Sequence, residues 1–265
     1  MAVARAHLES LLRARRLDRT LTTAIAITDT RDPRDDSAVA ATGITALDAY
    51  LGGGFPRGQL SELVGARSSG RASVMLQVIA AATARGELAA IVDALDMFDV
   101  ESANAAGVDL DRVLWIRGHV VTNPGMCRDL NQRALEQAIR AFALVLQAGN
   151  FGLVVFDAAE APVEALRRLP FTTWLRLQRM IEGSPTACVL VGTDAMARSS
   201  AGLTVRLGGW SATASAERPR ARFGPRLFDG LDVAARVISA RRMPRDRELV
   251  DDGGVSLRTR ANADV

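Results

Sequence analysis

The chain has 265 residues, 48% of them hydrophobic, which suits one large domain with a sizeable core and short appendages. No run approaches the ~18 apolar residues of a membrane span, and the first residues carry charges throughout, so neither a transmembrane helix nor a signal peptide is expected and a cytoplasmic protein is. Two separated cysteines and two histidines argue against a disulfide framework or a metal cluster, and a net charge of +3 permits contact with nucleic acid without requiring it.

In chain order, residues 3–17 place Leu8, Leu11 and Leu12 on one side of a short amphipathic helix. The segment LTTAIAI, with Ile25 and Ile27, is β-prone, and 28–37 has the Pro, Asp and Ser of a connector. Residues 1–37 are therefore expected to form an arm outside the main domain. From residue 38 to 250 short apolar runs alternate with helical patterns. Helices are expected at 45–50, 72–85, 99–106, 126–148 and 172–182. Strands are expected at 59–65, 88–93, 112–118, 151–157 and 186–192. This alternation specifies an α/β fold with a mainly parallel sheet flanked by helices. Segments 203–210, 221–230 and 231–242 read as antiparallel strands joined by Gly and Pro turns. The tail, 251–265, is expected to be flexible.

The stretch LSELVGARSSGRASVML stands out, because an apolar strand enters a glycine-bounded loop and leaves it as a helix. Gly65, Ser68, Ser69, Gly70, Arg71, Ala72 and Ser73 lie on the frame of a P-loop, G-x-x-x-x-G-K-[ST]. In such a loop backbone N–H groups cradle phosphates at a helix N-terminus, a Lys reaches the outer oxygens, and a Ser or Thr hydroxyl ligates Mg²⁺. Here the Lys position holds Arg71, a longer planar fork, and the hydroxyl position holds Ala72. Ser73 is one residue on, about 100° further round the helix. The frame is kept and its chemistry is not. All 33 basic residues are Arg, so drift in a GC-rich genome could have produced Arg71, but the mechanistic consequence is the same.

Over roughly residues 3–240 the sequence resembles bacterial RecA, through TGITALDAYLGGGFPRGQLSELVG, the loop, LQVIAAATARGELAAIVDA, AAGVDLDRVL and LVVFD. The resemblance implies a RecA-like core with antiparallel C-terminal strands and an N-terminal helical arm. It puts the Walker B aspartate at Asp157 and the water-activating glutamate at Leu95, which cannot accept a proton. The adenine-stacking tyrosine falls at Ser102, beside a retained acid, Asp99, and the γ-phosphate-sensing glutamine falls at Asp194. Between Gly192 and Leu203 there is only GTDAMARSSAG where RecA has a longer second DNA-binding loop. These losses converge on one activity, so ATP hydrolysis is not expected, no cofactor is expected, and residual ATP binding stays open.

A RecA-like chain with this profile is similar to the ImuA type, encoded beside an inactive Y-family polymerase relative, ImuB, and an error-prone C-family polymerase. That resemblance implies an accessory factor of SOS-induced mutagenesis and translesion synthesis. Its implied partners are the ImuB-type protein, RecA, the C-family polymerase and single-stranded DNA. In RecA the first DNA-binding loop and its following helix occupy the place of 164–179, where Arg167, Arg168, Arg176 and Arg179 interleave with Phe171 and Trp174; the pattern reads either as a surface that meets phosphates and stacks on bases, or as a helix with Trp174, Leu175 and Leu177 in the core and its arginines solvated. The arm residues Leu8, Leu11, Leu12, Ile25 and Ile27 stand where RecA docks on its neighbour. Other readings are a weak DNA-dependent ATPase or recombinase, with Arg71 and Asp96 standing in for the usual groups, and a SulA-like division inhibitor.

Overall fold

The computed structural model describes residues 38–118, 128–208, 230–240 and 254–260. All of these belong to the second of two compact units, Pro33–Val265; the arm residues Leu8, Leu11, Leu12, Ile25 and Ile27 fall outside the described residues.

The strand-forming runs are rich in β-branched residues and bounded by Gly, Asp or Pro. A short antiparallel ribbon joins β1 (Val39–Ala40) to β2 (Phe55–Pro56), on either side of helix α1 (Thr45–Leu51). The main sheet begins with β3 (Leu60–Gly65), followed by α2 (Arg71–Ala84), β4 (Ala89–Asp93), α3 (Val100–Ala105) and β5 (Val113–Arg117). Then come α4 (Arg128–Ala148), β6 (Leu153–Asp157), α5 (Val163–Arg167), α6 (Phe171–Ile181), β7 (Ala187–Gly192) and β8 (Leu203–Leu207). The last strands are β9 (Gly230–Ala240) and β10 (Val255–Arg260).

The eight strands lie in the order β10-β9-β8-β3-β7-β6-β4-β5. Strands β8, β3, β7, β6, β4 and β5 are mutually parallel, and β9 and β10 add antiparallel at one edge. The expected α/β architecture is therefore present. Side chains alternate across each strand, so Leu153 and Val155 of β6 enter one core with Val74, Val78 and Ile79 of α2. Val154 and Phe156 enter the other, with Leu135, Ile139 and Phe142 of α4 and Trp174 and Leu177 of α6. Both faces of the sheet are covered, which is why the parallel strands read as unbroken apolar runs.

Two details differ from expectation. The tail expected to be flexible contains β10, whose Leu257 is fully buried and which pairs with β9 from Val255↔Ala235 to Arg260↔Gly230. Its alternation, with Val255 and Leu257 inward, is short and lies beside Asp and Gly, so local composition masked it. The strand expected over 203–210 ends at Leu207, and 221–229 falls outside the described residues. None of the described helices is long and apolar enough to cross a membrane.

Candidate functional site

The glycine-bounded loop leaves the C-terminal end of β3, next to the ends of β7 and β8 in the sheet, the usual position of a ligand site in an open α/β fold. Its path depends on glycine at two points. A Cβ on Gly65 would sit 2.8 Å from Leu207 O and against Ser69 Oγ. Gly70, the residue before α2, has φ of 85°, in the left-handed region where glycine is unstrained. Ser68 shares that region at 61°, Ser69 N donates to Ala66 O at 3.1 Å, and Ser69 Oγ is buried without a hydrogen-bond partner.

Arg71 opens α2, and its side chain turns back under the loop, 7% exposed. Its guanidinium donates to Gly65 O, to Ala159 O at 3.1 Å and to Glu160 Oε1 at 2.7 Å. Glu160 lies beyond β6, and its other oxygen accepts from Arg67 Nε at 2.8 Å. One carboxylate thus ties together both arginines of the loop. A buried guanidinium is tolerable only when paired and hydrogen-bonded, and here the protein's own groups supply the partners. Ala72, exposed at the surface, brings no oxygen, and Ser73 follows it one position on.

Asp157 ends β6 beside Asp93 of β4. Its Oδ1 accepts from Ala159 N at 2.9 Å. Burial raises its pKa to about 6, with Asp93 and Glu160 adding to the rise while the Ala159 N–H and Arg71 oppose it. Among the described residues no group of three or more His, Cys, Asp or Glu side chains is arranged to hold a metal.

Leu95 is 7% exposed and packs into the core on the α4 side of the sheet. Asp96, the neighbouring acid, sits at φ 59° and presents both oxygens to the Arg117 fork, at 2.7 and 2.8 Å. The Arg117 fork holds that carboxyl below the usual range. Arg117 lies 4.5 Å over the Trp115 ring. Asp93 closes the same turn, accepting from Met97 N, Phe98 N and Trp115 Nε1. Asp99 caps α3 through Ser102 N at 3.0 Å and also holds Ser102 Oγ, while Asp194 faces Arg206 at 3.5 Å.

One polar residue was not singled out from the sequence. Glu62, in the middle of β3, is fully buried and accepts from Met196 N at 2.6 Å, Ala197 N at 2.7 Å and Thr204 Oγ1 at 2.8 Å. It fastens the short segment after β7 to the strand that leads into the loop. A carboxylate inside the apolar run LSELVG was the available signal, since a strand buried on both faces rarely carries an unpaired charge.

The expected base-stacking surface is corrected in one respect. Trp174 is 1% exposed and meets the Phe156 ring at 6.3 Å, so it is a core side chain. The reason is helical phase: Trp174, Leu177 and Ile181 form the inward stripe of α6, which puts Arg176 and Arg179 on its outer side. Arg167, Arg168, Arg176 and Arg179 are exposed, and Phe171 is 36% exposed.

Compared with known proteins, residues 17–165 match the sequence family described as the RecA N-terminal domain. Protein RecA of Clavibacter michiganensis subsp. michiganensis is 39% identical over 133 residues, which is 50% of this chain and 33% of the relative. The corresponding figures are 39% over 132 residues, 49% and 34%, for Protein RecA of Salinispora tropica. For that of Corynebacterium aurimucosum they are 37% over 131 residues, 49% and 31%. The aligned part of the chain spans about a third of the length of these relatives.

Proposed function

The chain belongs to the RecA N-terminal domain family, and from that premise we propose that it is a member without ATP hydrolysis, working through contacts with other proteins. The observation that carries this reading is Arg71. Where a P-loop lysine would hold phosphate, the guanidinium faces Gly65 O, Ala159 O and Glu160, and Glu160 adds a negative charge beside the place a triphosphate would enter. A phosphate would have to displace this ion pair and then meet repulsion from Glu160. The triphosphate and its metal therefore do not fit the corner as it is built. With Leu95 in the core and Asp96 taken up by Arg117, no carboxylate is free to activate a water at that turn.

Within the family, the ImuA kind of accessory factor agrees best with a retained frame and replaced catalytic positions. The role is then in damage-induced translesion synthesis, through the ImuB-type polymerase relative, RecA and the C-family polymerase, with weak contact to single-stranded DNA through Arg167, Arg168, Arg176 and Arg179. The decisive experiment is ATP binding and turnover by the purified protein, with and without single-stranded DNA, beside an Arg71→Lys, Ala72→Thr, Leu95→Glu variant. Neither binding nor turnover is expected of the native protein. DNA-stimulated turnover would overturn the reading and put a weak recombinase-type ATPase in its place. Co-elution of the chain with RecA, lost on removing residues 1–27, tests the partner assignment.

A further inference from the structure

On the face of the molecule covered by α4 and α6, these two helices leave a shallow groove of about 330 Å³ between their outer sides, lined by Arg140, Ala143, Leu144, Gln147, Arg176 and Met180. Ala143 and Met180 are half-buried against the core beneath, and Leu144 is not. The inward stripe of α4 is Leu135, Ala138, Ile139, Phe142, Val145 and Leu146. Leu144, two residues past Phe142, points nearly away from that stripe and is 67% exposed. A large apolar side chain this exposed, next to a methionine in a concave surface, marks a contact surface more than a fold requirement.

The rim gives the contact a sign. Arg140 and Arg176 flank the apolar centre, and neither forms an ion pair or side-chain hydrogen bond among the described residues, whereas the loop arginines Arg67 and Arg71 are held by Glu160. Glu136, one turn before Arg140, instead accepts from Gln132 Nε2 at 3.1 Å. Two unpaired guanidinium groups beside an aliphatic centre fit negative charge flanking a hydrophobic anchor. Of the two rings that could have stacked on a base, Trp174 is buried under the same helix and Phe171 does not line the groove, and Ala143, Leu144 and Met180 offer no aromatic face, so a protein segment suits the groove better than a nucleic acid.

We propose that the groove between α4 and α6 docks an acidic amphipathic helix of a partner protein, with its apolar residues on Leu144 and Met180 and its carboxylates on Arg140 and Arg176. This deepens the reading of the chain as a protein-contact factor by assigning one contact to one surface. It stands apart from the nucleotide question, which the ATP measurement decides separately.

The test uses the full chain and a labelled helix-forming peptide of about 18 residues, with leucines at i, i+3, i+4 and i+7 and glutamates elsewhere. Methyl NMR should show the Leu144 and Met180 signals moving on titration. Fluorescence anisotropy should show affinity falling by about tenfold in an Arg140→Glu, Arg176→Glu variant, while a lysine-for-glutamate peptide comes to be preferred by that variant. Leu144→Ser should weaken the acidic peptide without changing the thermal transition. Equal binding of both peptides to the native protein, unmoved methyls, or movement of the same methyls by an oligothymidine but not by the peptide would each overturn the assignment.

Discussion

Arg71 and Arg140 are the same side chain in opposite circumstances. Under the loop, Arg71 is buried and its guanidinium donates to Gly65 O, Ala159 O and Glu160, all groups of the protein itself. On the helical face, Arg140 and Arg176 have no such partner among the described residues and stand beside an exposed leucine. What separates them is the reach of a carboxylate: Glu160 lies against the loop, and among the described residues no carboxylate lines the groove. Among the described residues the glycine-bounded loop satisfies its own arginine, and the helical face does not.

The largest test of this contrast lies beneath the helical face. Trp174→Ala should cost about 3–5 kcal/mol in urea unfolding, because a fully buried ring packed on Phe156 leaves a cavity. A surface ring kept for stacking on DNA would cost well under 1 kcal/mol, so a small loss would restore the stacking role. At the loop, Glu160→Ala should cost about 2–3 kcal/mol, below the ~3–5 kcal/mol of a fully buried pair because Glu160 keeps 20% of its side chain exposed. A loss under about 0.5 kcal/mol would mean the loop does not depend on this pair.

A pH profile sharpens the same corner. The Asp157 pKa is raised by burial to about 6, while the unfolded chain releases that proton near 3.9. Between these values the folded state binds the extra proton, so the Asp157 contribution to stability is greatest below about pH 4 and falls as pH rises towards 6, by about 2–3 kcal/mol in all. The Asp157→Asn variant should therefore lose this downward slope relative to native protein, and parallel stability curves from pH 4 to 7 would refute the shift. The smallest effects belong to the outer arginines. Replacing Arg167, Arg168, Arg176 and Arg179 with Ala one at a time should change stability by no more than about 0.5 kcal/mol each. The combined variant should lose whatever retention on single-stranded DNA the native protein shows at low salt.

Most of the fold was legible before any tertiary information. The alternation of apolar runs with helical patterns yielded β3 to β7 and the helices between them other than the short α5, because strands buried on both faces and helices buried on one write their periods into local sequence. The loop was legible too, since only a Gly-bounded turn from strand to helix produces that spacing. Less was legible where the deciding partner is distant. Glu62 looked like an anomaly in an apolar run until residues 196, 197 and 204 closed round it. Trp174 read equally as a stacking ring or a core side chain because helical spacing reports that a stripe exists, not which side of the helix the sheet will take.

The sequence by itself determined the α/β alternation, the phosphate-loop frame and the replacement of Lys by Arg71 and of the glutamate by Leu95, since each is a matter of residue identity and local spacing. Only the tertiary structure decided what Arg71 does. Its carboxylate partner lies 89 residues away on another strand's end, and whether a buried charge is satisfied depends on groups that the sheet order brings together. The same holds for β10, which becomes a strand because β9 offers it an edge, and for the groove, which exists because α4 and α6 lie side by side on one face of the sheet.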